Sequence, residues 1–222
     1  MRRLFPYLKR SILIKGNGKK YRCLSAYFFS FYLIYGQCDH DEILLWENCY
    51  SADTTFELNL SGQGLTGIIP AQISHLENLL FLDLSFNDLE GSLPEQLFQM
   101  ENLLGLDLRE NELQGQIPEN IGMLSNLMYL DLSNNNFEGT IPSGIGSLTS
   151  LVDLSLYENQ LTGEIPNSIG DLTYLSSIRL NNNFIYGELP SELGNCSGLQ
   201  YLQIHDNQLS GEIPMSLCQL DL

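Results

Sequence analysis

The chain has 222 residues, and 27 acidic residues against ten lysines and arginines give it a formal net charge of −17. Only Arg109 and Arg179 among the basic residues lie beyond position 36, so residues 37–222 carry a formal net charge of −25. A surface this acidic repels phosphate backbones and anionic lipid headgroups, which argues against nucleic acids and lipid surfaces as partners.

The first 36 residues differ in composition from the rest of the chain. They contain eight basic residues and no acidic residue, and they end in a twelve-residue apolar run from Leu24 to Tyr35. That run is shorter than the ~20 residues that a membrane-spanning helix needs. A basic start followed by a short apolar core is typical of a secretory signal peptide, so we expect residues 1–36 to be absent from the exported protein. A buried helix of a folded domain and an uncleaved membrane anchor remain open alternatives.

Seven units of 24 residues follow in perfect phase, from Thr55 to Leu222, and are numbered here as repeats 1 to 7. A proline marks each unit: Pro70, Pro94, Pro118, Pro142, Pro166, Pro190 and Pro214. A fixed period of this length indicates a repeat array in which each unit packs only against its neighbours.

Each unit begins with an alternating segment, which in repeat 2 reads Phe81-Leu82-Asp83-Leu84-Ser85. Residues two apart share one face of a strand, so we expect Leu82 and Leu84 to point inward and the other three side chains to face solvent. A strand this short buries its apolar face only beside the same strand of the next unit. The pattern therefore predicts a parallel sheet with strands ~4.8 Å apart.

Polar and turn residues follow the strand at fixed positions. An asparagine column is predicted to be buried, because its amides can pair with the backbone where the chain leaves the sheet. The column consists of Asn87, Asn111, Asn135, Asn159, Asn183 and Asn207. A glycine, an Ile or Leu and the repeat proline come next, which predicts a turn with the proline at the first position of a short helix.

The full pattern, L-x-x-L-x-L-x-x-N-x-L-x-G-x-I-P, resembles the plant-type leucine-rich repeat over residues 55–222. Such repeats occur in the extracellular domains of plant receptor-like proteins and receptor kinases, and in some secreted bacterial proteins. The resemblance implies an α/β repeat solenoid, a right-handed curved superhelix. Its parallel β-sheet would form the concave face and short 3-10 or α turns the convex face, with a minor strand near the L-x-G segment.

Residues 37–54 are expected to form an N-terminal cap over the open apolar end of the array. Ile43, Leu44, Leu45 and Trp46 supply apolar cover, and we expect a disulfide between Cys38 and Cys49. The segment from Trp46 to Cys49 resembles part of the paired-cysteine cap of plant receptor ectodomains. Because the chain ends one turn after Pro214, we also expect the array to be truncated before a C-terminal cap.

The sequence shows no sign of catalysis. The three histidines fall in different parts of the architecture, and no nucleophile elbow, P-loop or H-E-x-x-H motif is present. We therefore predict a protein that is not an enzyme and that has neither a cofactor nor a metal site. The aspartate column of Asp83, Asp107 and Asp131 is interpreted as an exposed family feature without a special role.

The predicted function is extracellular binding of a protein, peptide or glycan on the concave face, with a basic partner favoured by charge. The candidate binding residues are Phe81, Phe86, Arg109, Tyr129, Asp131, Asp153, Tyr157, Arg179, Tyr201 and His205. Two alternatives remain: the truncated ectodomain of a membrane receptor, and a structural repeat protein that faces ice or mineral. In a eukaryote, Asn59 and Asn195 would be glycosylation acceptors of a secreted or cell-surface protein.

Overall fold

The computed structural model describes residues 12–16, 19–23 and 38–220. Within the predicted export segment it contains one antiparallel hairpin, formed by β1 (Ile12–Gly16) and β2 (Lys19–Cys23). The rest of that segment lies outside the described residues, so its cleavage stays a prediction. Among the described residues, no helix is long and apolar enough to cross a membrane.

A second hairpin covers the start of the repeats. Strands β3 (Glu42–Leu45) and β4 (Asn48–Ser51) pair antiparallel and are joined by a two-residue turn. Both turn residues, Trp46 and Glu47, have positive φ, as a tight hairpin turn requires. Cys38 is bonded to Cys49 in a disulfide. Leu45 is buried at the head of the core, so this hairpin packs against the first repeat, and the N-terminal cap over residues 37–54 stays a prediction.

The concave face is a parallel sheet of seven strands that follow one another in chain order. The strands are β5 (Glu57–Asn59), β7 (Phe81–Asp83), β9 (Gly105–Asp107), β11 (Tyr129–Asp131), β13 (Asp153–Ser155), β15 (Ser177–Arg179) and β17 (Tyr201–Gln203). Each residue pairs with the residue one repeat away, so that Tyr129 lies between Gly105 and Asp153. This constant register places equivalent side chains of successive repeats in straight columns.

Strands of two to five residues form a second layer after the asparagine column. Five of them pair parallel as one sheet, and the last two form a separate pair. They are β6 (Thr66–Gly67), β8 (Asp88–Gly91), β10 (Glu112–Gln116), β12 (Asn136–Thr140), β14 (Gln160–Thr162), β16 (Tyr186–Gly187) and β18 (Gln208–Leu209). The expectation of a minor strand near the L-x-G segment is thus confirmed.

The convex face consists of one 3-10 turn in every repeat, with no α-helix in the described repeats. The turns are η1 (Ala71–His75), η2 (Glu95–Gln99), η3 (Glu119–Met123), η4 (Ser143–Ser147), η5 (Asn167–Asp171), η6 (Ser191–Asn195) and η7 (Met215–Gln219). The predicted position of the proline was wrong. Pro118 precedes η3 with an extended backbone, and its carbonyl accepts the N–H of Ile121 at 3.0 Å. A fixed φ and a free carbonyl suit this capping position as well.

The core is a column of leucine and isoleucine between these layers, and Leu82 and Leu84 are buried in it as expected. The solvent-facing expectation for Ser85 was wrong, since this residue is 1% exposed. Its hydroxyl donates to Asp83 Oδ1 at 2.6 Å and is paired with Ser61 Oγ at 2.8 Å. A serine side chain is small enough to be covered by its larger neighbours even on the concave side.

The asparagines lie where the chain leaves the sheet, and Asn135 shows their hydrogen bonds. Its Nδ2 donates to the carbonyls of Leu108, Leu132 and Ser133 at 3.0, 3.2 and 3.1 Å. Its Oδ1 accepts the N–H of Leu113 at 3.0 Å. Two of these partners belong to the preceding repeat, so each asparagine links its own repeat to the one before it.

Candidate functional site on the concave sheet

The N-terminal part of the concave sheet carries a shallow groove of about 400 Å³. Gly105 lies at the floor of this groove and is the only glycine at this strand position among the seven repeats. A Cβ built at Gly105 would lie 2.8 Å from Cδ1 of Phe81, so the Phe81 ring rests on the bare backbone. Tyr129 stands on the other side, and both rings remain more than 40% exposed. The groove therefore presents two aromatic side chains on a rigid sheet.

A row of carboxylates crosses the same groove, because Asp83, Asp107 and Asp131 are direct neighbours in the sheet. Asp83 accepts the amide of Asn59 at 2.9 Å at the edge of the row. Burial raises the pKa of the central Asp107 to about 6. The backbone N–H bond and the charge of Arg109 lower this pKa, whereas the charge of Asp131 raises it further, and burial together with the neighbouring acids outweighs the arginine. The aspartate row is thus not uniform, although sequence reasoning assigned it no special role.

Arg109 is held over this row by the protein itself. Its guanidinium lies 3.5 Å from Asp107 and 3.8 Å from Asp131, and its Cζ is 5.1 Å from the centroid of the Phe86 ring. Phe86 has a left-handed backbone with φ of 55°, and its ring lies beneath the guanidinium, where a cation–π interaction is favourable. The arginine is therefore pre-positioned, with its charge shared between two acids and an aromatic face.

A second groove of about 510 Å³ lies over the C-terminal strands. Tyr157, Arg179, Asn181 and Tyr201 line it, together with Asp153. Nη2 of Arg179 donates to both carboxylate oxygens of Asp153, at 2.9 and 3.2 Å. This groove is therefore polar, with its one arginine already paired.

Two buried polar atoms in this region have no hydrogen-bond partner in the described structure: Ser155 Oγ and Asn181 Oδ1. The sequence did not point to Asn181, because neither its burial nor its lack of a hydrogen-bond partner can be read from the residue types. Gly105 was missed for a similar reason, since its role depends on the ring that covers it.

The structure divides the predicted binding residues between these places. Phe81, Arg109, Tyr129 and Asp131 line the first groove, where Phe86 lies beneath Arg109. Asp153 and Arg179 line both grooves, and Tyr157 and Tyr201 line the second. Tyr157 is half-buried, so its predicted exposure was wrong. His205 lies outside both grooves, exposed beside Asp206. Asn59 lines the first groove, and Asn195 is exposed on the convex side at the end of η6.

No group of three or more His, Cys, Asp or Glu side chains that could hold a metal ion occurs in the described part of the chain. Most acidic side chains of the first groove are engaged with one of the two arginines or with neighbouring amides and hydroxyls. The expected absence of a metal site stays a prediction.

Models of the leucine-rich-repeat family match residues 78–100, 102–124, 125–185 and 198–220. The chain is 42% identical to the leucine-rich-repeat ectodomain of the plant membrane receptor kinase GASSHO1/SCHENGEN3 from Arabidopsis thaliana, with a TM-score of 0.72. The chain belongs to the plant-type leucine-rich-repeat family. The match covers 73% of this leucine-rich-repeat chain and 19% of the receptor ectodomain.

Two further solved structures resemble this leucine-rich-repeat chain. The Arabidopsis receptor kinase HAESA is 38% identical with a TM-score of 0.72, over 77% of this chain and 29% of that one. A plant ice-binding protein is 25% identical with a TM-score of 0.57, over 84% of this chain and 73% of that one. No curated protein matches in a sequence comparison. The chain thus spans less than a third of either receptor ectodomain.

Proposed function

We propose that this protein is a non-catalytic extracellular recognition module that binds a peptide or protein partner on its concave sheet. The observation that carries the proposal is the first groove, where Phe81 and Tyr129 stand exposed on hydrogen-bonded strands around the bare backbone of Gly105. Large aromatic side chains with few rotatable bonds lose little entropy on binding, and they are frequent hot spots of interfaces.

The solved relatives support a peptide as the partner. The GASSHO1/SCHENGEN3 ectodomain is in complex with CASPARIAN STRIP INTEGRITY FACTOR 2, and HAESA is in complex with the peptide hormone IDA and the co-receptor SERK1. The concave sheet of the present chain offers a comparable rigid surface. Its two arginines are paired with its own acids, so an incoming partner meets mainly uncompensated negative charge. A basic peptide is therefore the preferred ligand, with association that slows as salt is added.

A second candidate function is the ligand-binding part of a membrane receptor outside the cell, which the likeness to two receptor-kinase ectodomains favours. The other alternative, a structural repeat protein that faces ice or mineral, is favoured by the likeness to a plant ice-binding protein. The concave columns do not favour it, because aromatic, acidic, hydroxyl and basic side chains alternate along them. A flat, regular row of one short polar residue would be expected of a surface that matches ice.

Panning the immobilised chain against a phage-displayed peptide library tests the proposal. Changing Phe81→Ala together with Tyr129→Ala should weaken the selected peptides at least about 10-fold, because both rings lose their contact area. Folding should be unchanged in circular dichroism, since both side chains lie outside the core with more than 40% of their surface exposed.

The matched control changes the convex side, with Gln96→Ala and Asn167→Ala, both exposed. Glu119 on the same side is unsuitable as a control, because its carboxylate accepts bonds from the backbone N–H groups of Ser143 and Gly144. Loss of binding in the convex variant, with the concave variant unaffected, would show that the partner docks elsewhere.

A further inference from the structure

The second groove contains a buried amide whose oxygen has no partner. Asn181 lines this groove, is only 8% exposed, and has an Oδ1 that accepts no hydrogen bond from any described residue. A buried acceptor left unpaired destabilises a folded protein, and almost all such groups are satisfied. Asn183 shows the ordinary case two residues later, donating to the carbonyls of Leu156 and Leu180 and accepting the N–H of Leu161.

At the position equivalent to Asn181, polar side chains of other repeats have hydrogen-bond partners. Ser85 and Ser133 each donate to an aspartate two residues earlier in the chain. In repeat 6 the residue two positions earlier is Arg179, whose guanidinium is held by Asp153. Asn181 Oδ1 needs a donor rather than a carboxylate, and the guanidinium two residues earlier is already engaged with Asp153.

We propose that Asn181 anchors the main chain of an extended peptide in the second groove. An amide side chain presents an acceptor and a donor side by side, the same pair that each peptide unit presents. The small exposed part of Asn181 faces the groove, and its last side-chain torsion is soft, so either amide atom can turn toward a ligand. This assignment rests on the proposed function and adds to it the side chain that hydrogen-bonds to the backbone of the ligand.

The rest of the groove favours a peptide with at least one cationic side chain. Tyr157 and Tyr201 supply apolar area beside the anchor, and Glu158 adds a carboxylate at the rim. The groove has one arginine, and Asp153 already compensates it. A glycan would bring many hydroxyls that all need partners on burial, whereas the free amide of Asn181 matches a single peptide unit.

The first experiment measures stability without any ligand, comparing Asn181→Leu with Asn183→Leu. Leucine has nearly the shape of asparagine and removes the unpaired oxygen, so Asn181→Leu should leave the Tm unchanged or raise it by about 2–4 °C. Asn183→Leu should lower the Tm sharply, because it strips the partners from several buried backbone groups. A clear fall in Tm for Asn181→Leu would show a structural amide and overturn the proposal.

The second experiment probes an array of N-acetylated, C-amidated octapeptides, with a glycan array in parallel. Peptides that bind the wild-type chain should bind Asn181→Leu at least about 10-fold more weakly. In the best peptide, N-methylation of one backbone nitrogen should weaken binding to the wild type and have little further effect on Asn181→Leu, because both changes remove the same hydrogen bond.

The outcomes separate this inference from the proposed function. Peptides that need Phe81 and Tyr129 but bind Asn181→Leu normally would overturn the anchor and leave the proposed function standing. Binding that depends on Asn181 but is confined to the glycan array would overturn the assignment to a peptide. A failure of both arrays to yield any ligand would overturn the anchor and the proposed function together.

Discussion

The first two repeats and the later repeats use the same leucine core but differ on the convex side. In repeats 3 to 6, one position of each 3-10 turn is glycine: Gly122, Gly146, Gly170 and Gly194. A Cβ at the first three would lie 2.4–2.5 Å from a carbonyl oxygen of the next turn. Repeats 1 and 2 instead place Ser74 and the fully buried Phe98 at this position. The later turns are therefore packed backbone against backbone, whereas an aromatic ring separates the turns of repeats 2 and 3.

We infer that this difference controls the local curvature of the array. The concave spacing is the same throughout, because strand hydrogen bonds with a constant register fix it. Only the convex spacing is free to vary, and a ring between two turns widens it. The solenoid should bend most around Phe98, behind the groove that Phe81 and Tyr129 line. A side chain that shapes the concave surface can thus lie on the opposite side of the core.

The largest effect is expected on removing the ring. Phe98→Ala should lower the free energy of unfolding by about 3–5 kcal/mol, because it leaves a cavity where a fully buried aromatic side chain stood. Guanidinium chloride unfolding followed by circular dichroism measures this. Phe184→Ala is the control, since that ring is half-exposed and should cost little. Equal costs for the two changes would contradict the separating role of Phe98.

A methyl group in the closely packed turns should have the next largest effect. Gly170→Ala places a Cβ 2.4 Å from the carbonyl oxygen of Glu192, so the two turns must move apart at a cost of about 1–3 kcal/mol. Gly198→Ala serves as the control, because its nearest contact is 3.6 Å away and its φ is not positive. The same unfolding experiment applies, and a tolerated Gly170→Ala would mean that the turns are not held in contact.

The smallest effect concerns the concave carboxylates of the first groove. The pKa of Asp107 is raised to about 6, above its unfolded value near 3.8, so the folded state binds the proton more tightly. The resulting stabilisation is complete below pH ~4 and is lost as the pH rises through about 6. Asp107→Asn should remove this dependence, worth roughly 1–2 kcal/mol between pH 4 and pH 7.

Repeats 5 and 6 provide the comparison for that experiment, because Ser155 and Arg179 occupy the equivalent strand position. Changing Ser155→Ala should leave the pH dependence as it is in the wild type. Unfolding measured at several pH values decides the matter, and an unaltered slope in Asp107→Asn would place the titrating group elsewhere.

The fold was predictable from the sequence because a 24-residue period with inward leucines admits few other structures, and the leucine-rich-repeat class is confirmed. Errors arose where a residue's neighbours decide its environment. Ser85 alternates like an exposed residue but is covered, and Tyr157 is less exposed than its column suggested. The partners of Arg109 were not predictable either, since they are carboxylates on two strands and the ring of Phe86 in the preceding repeat. Which residues touch a partner stays a prediction.

The asparagine ladder has a mechanical consequence for a chain pulled from its two ends. Every asparagine from Asn87 to Asn207 bonds its repeat to the one before. Within the described part of the chain, the side chain of Gln63 in repeat 1 instead donates to the carbonyl of Ser61 in its own repeat. The asparagine ladder therefore makes no link between repeat 1 and the hairpin that precedes it. Under load the array should yield first at that junction and then repeat by repeat, and each release lengthens the chain by roughly 80 Å.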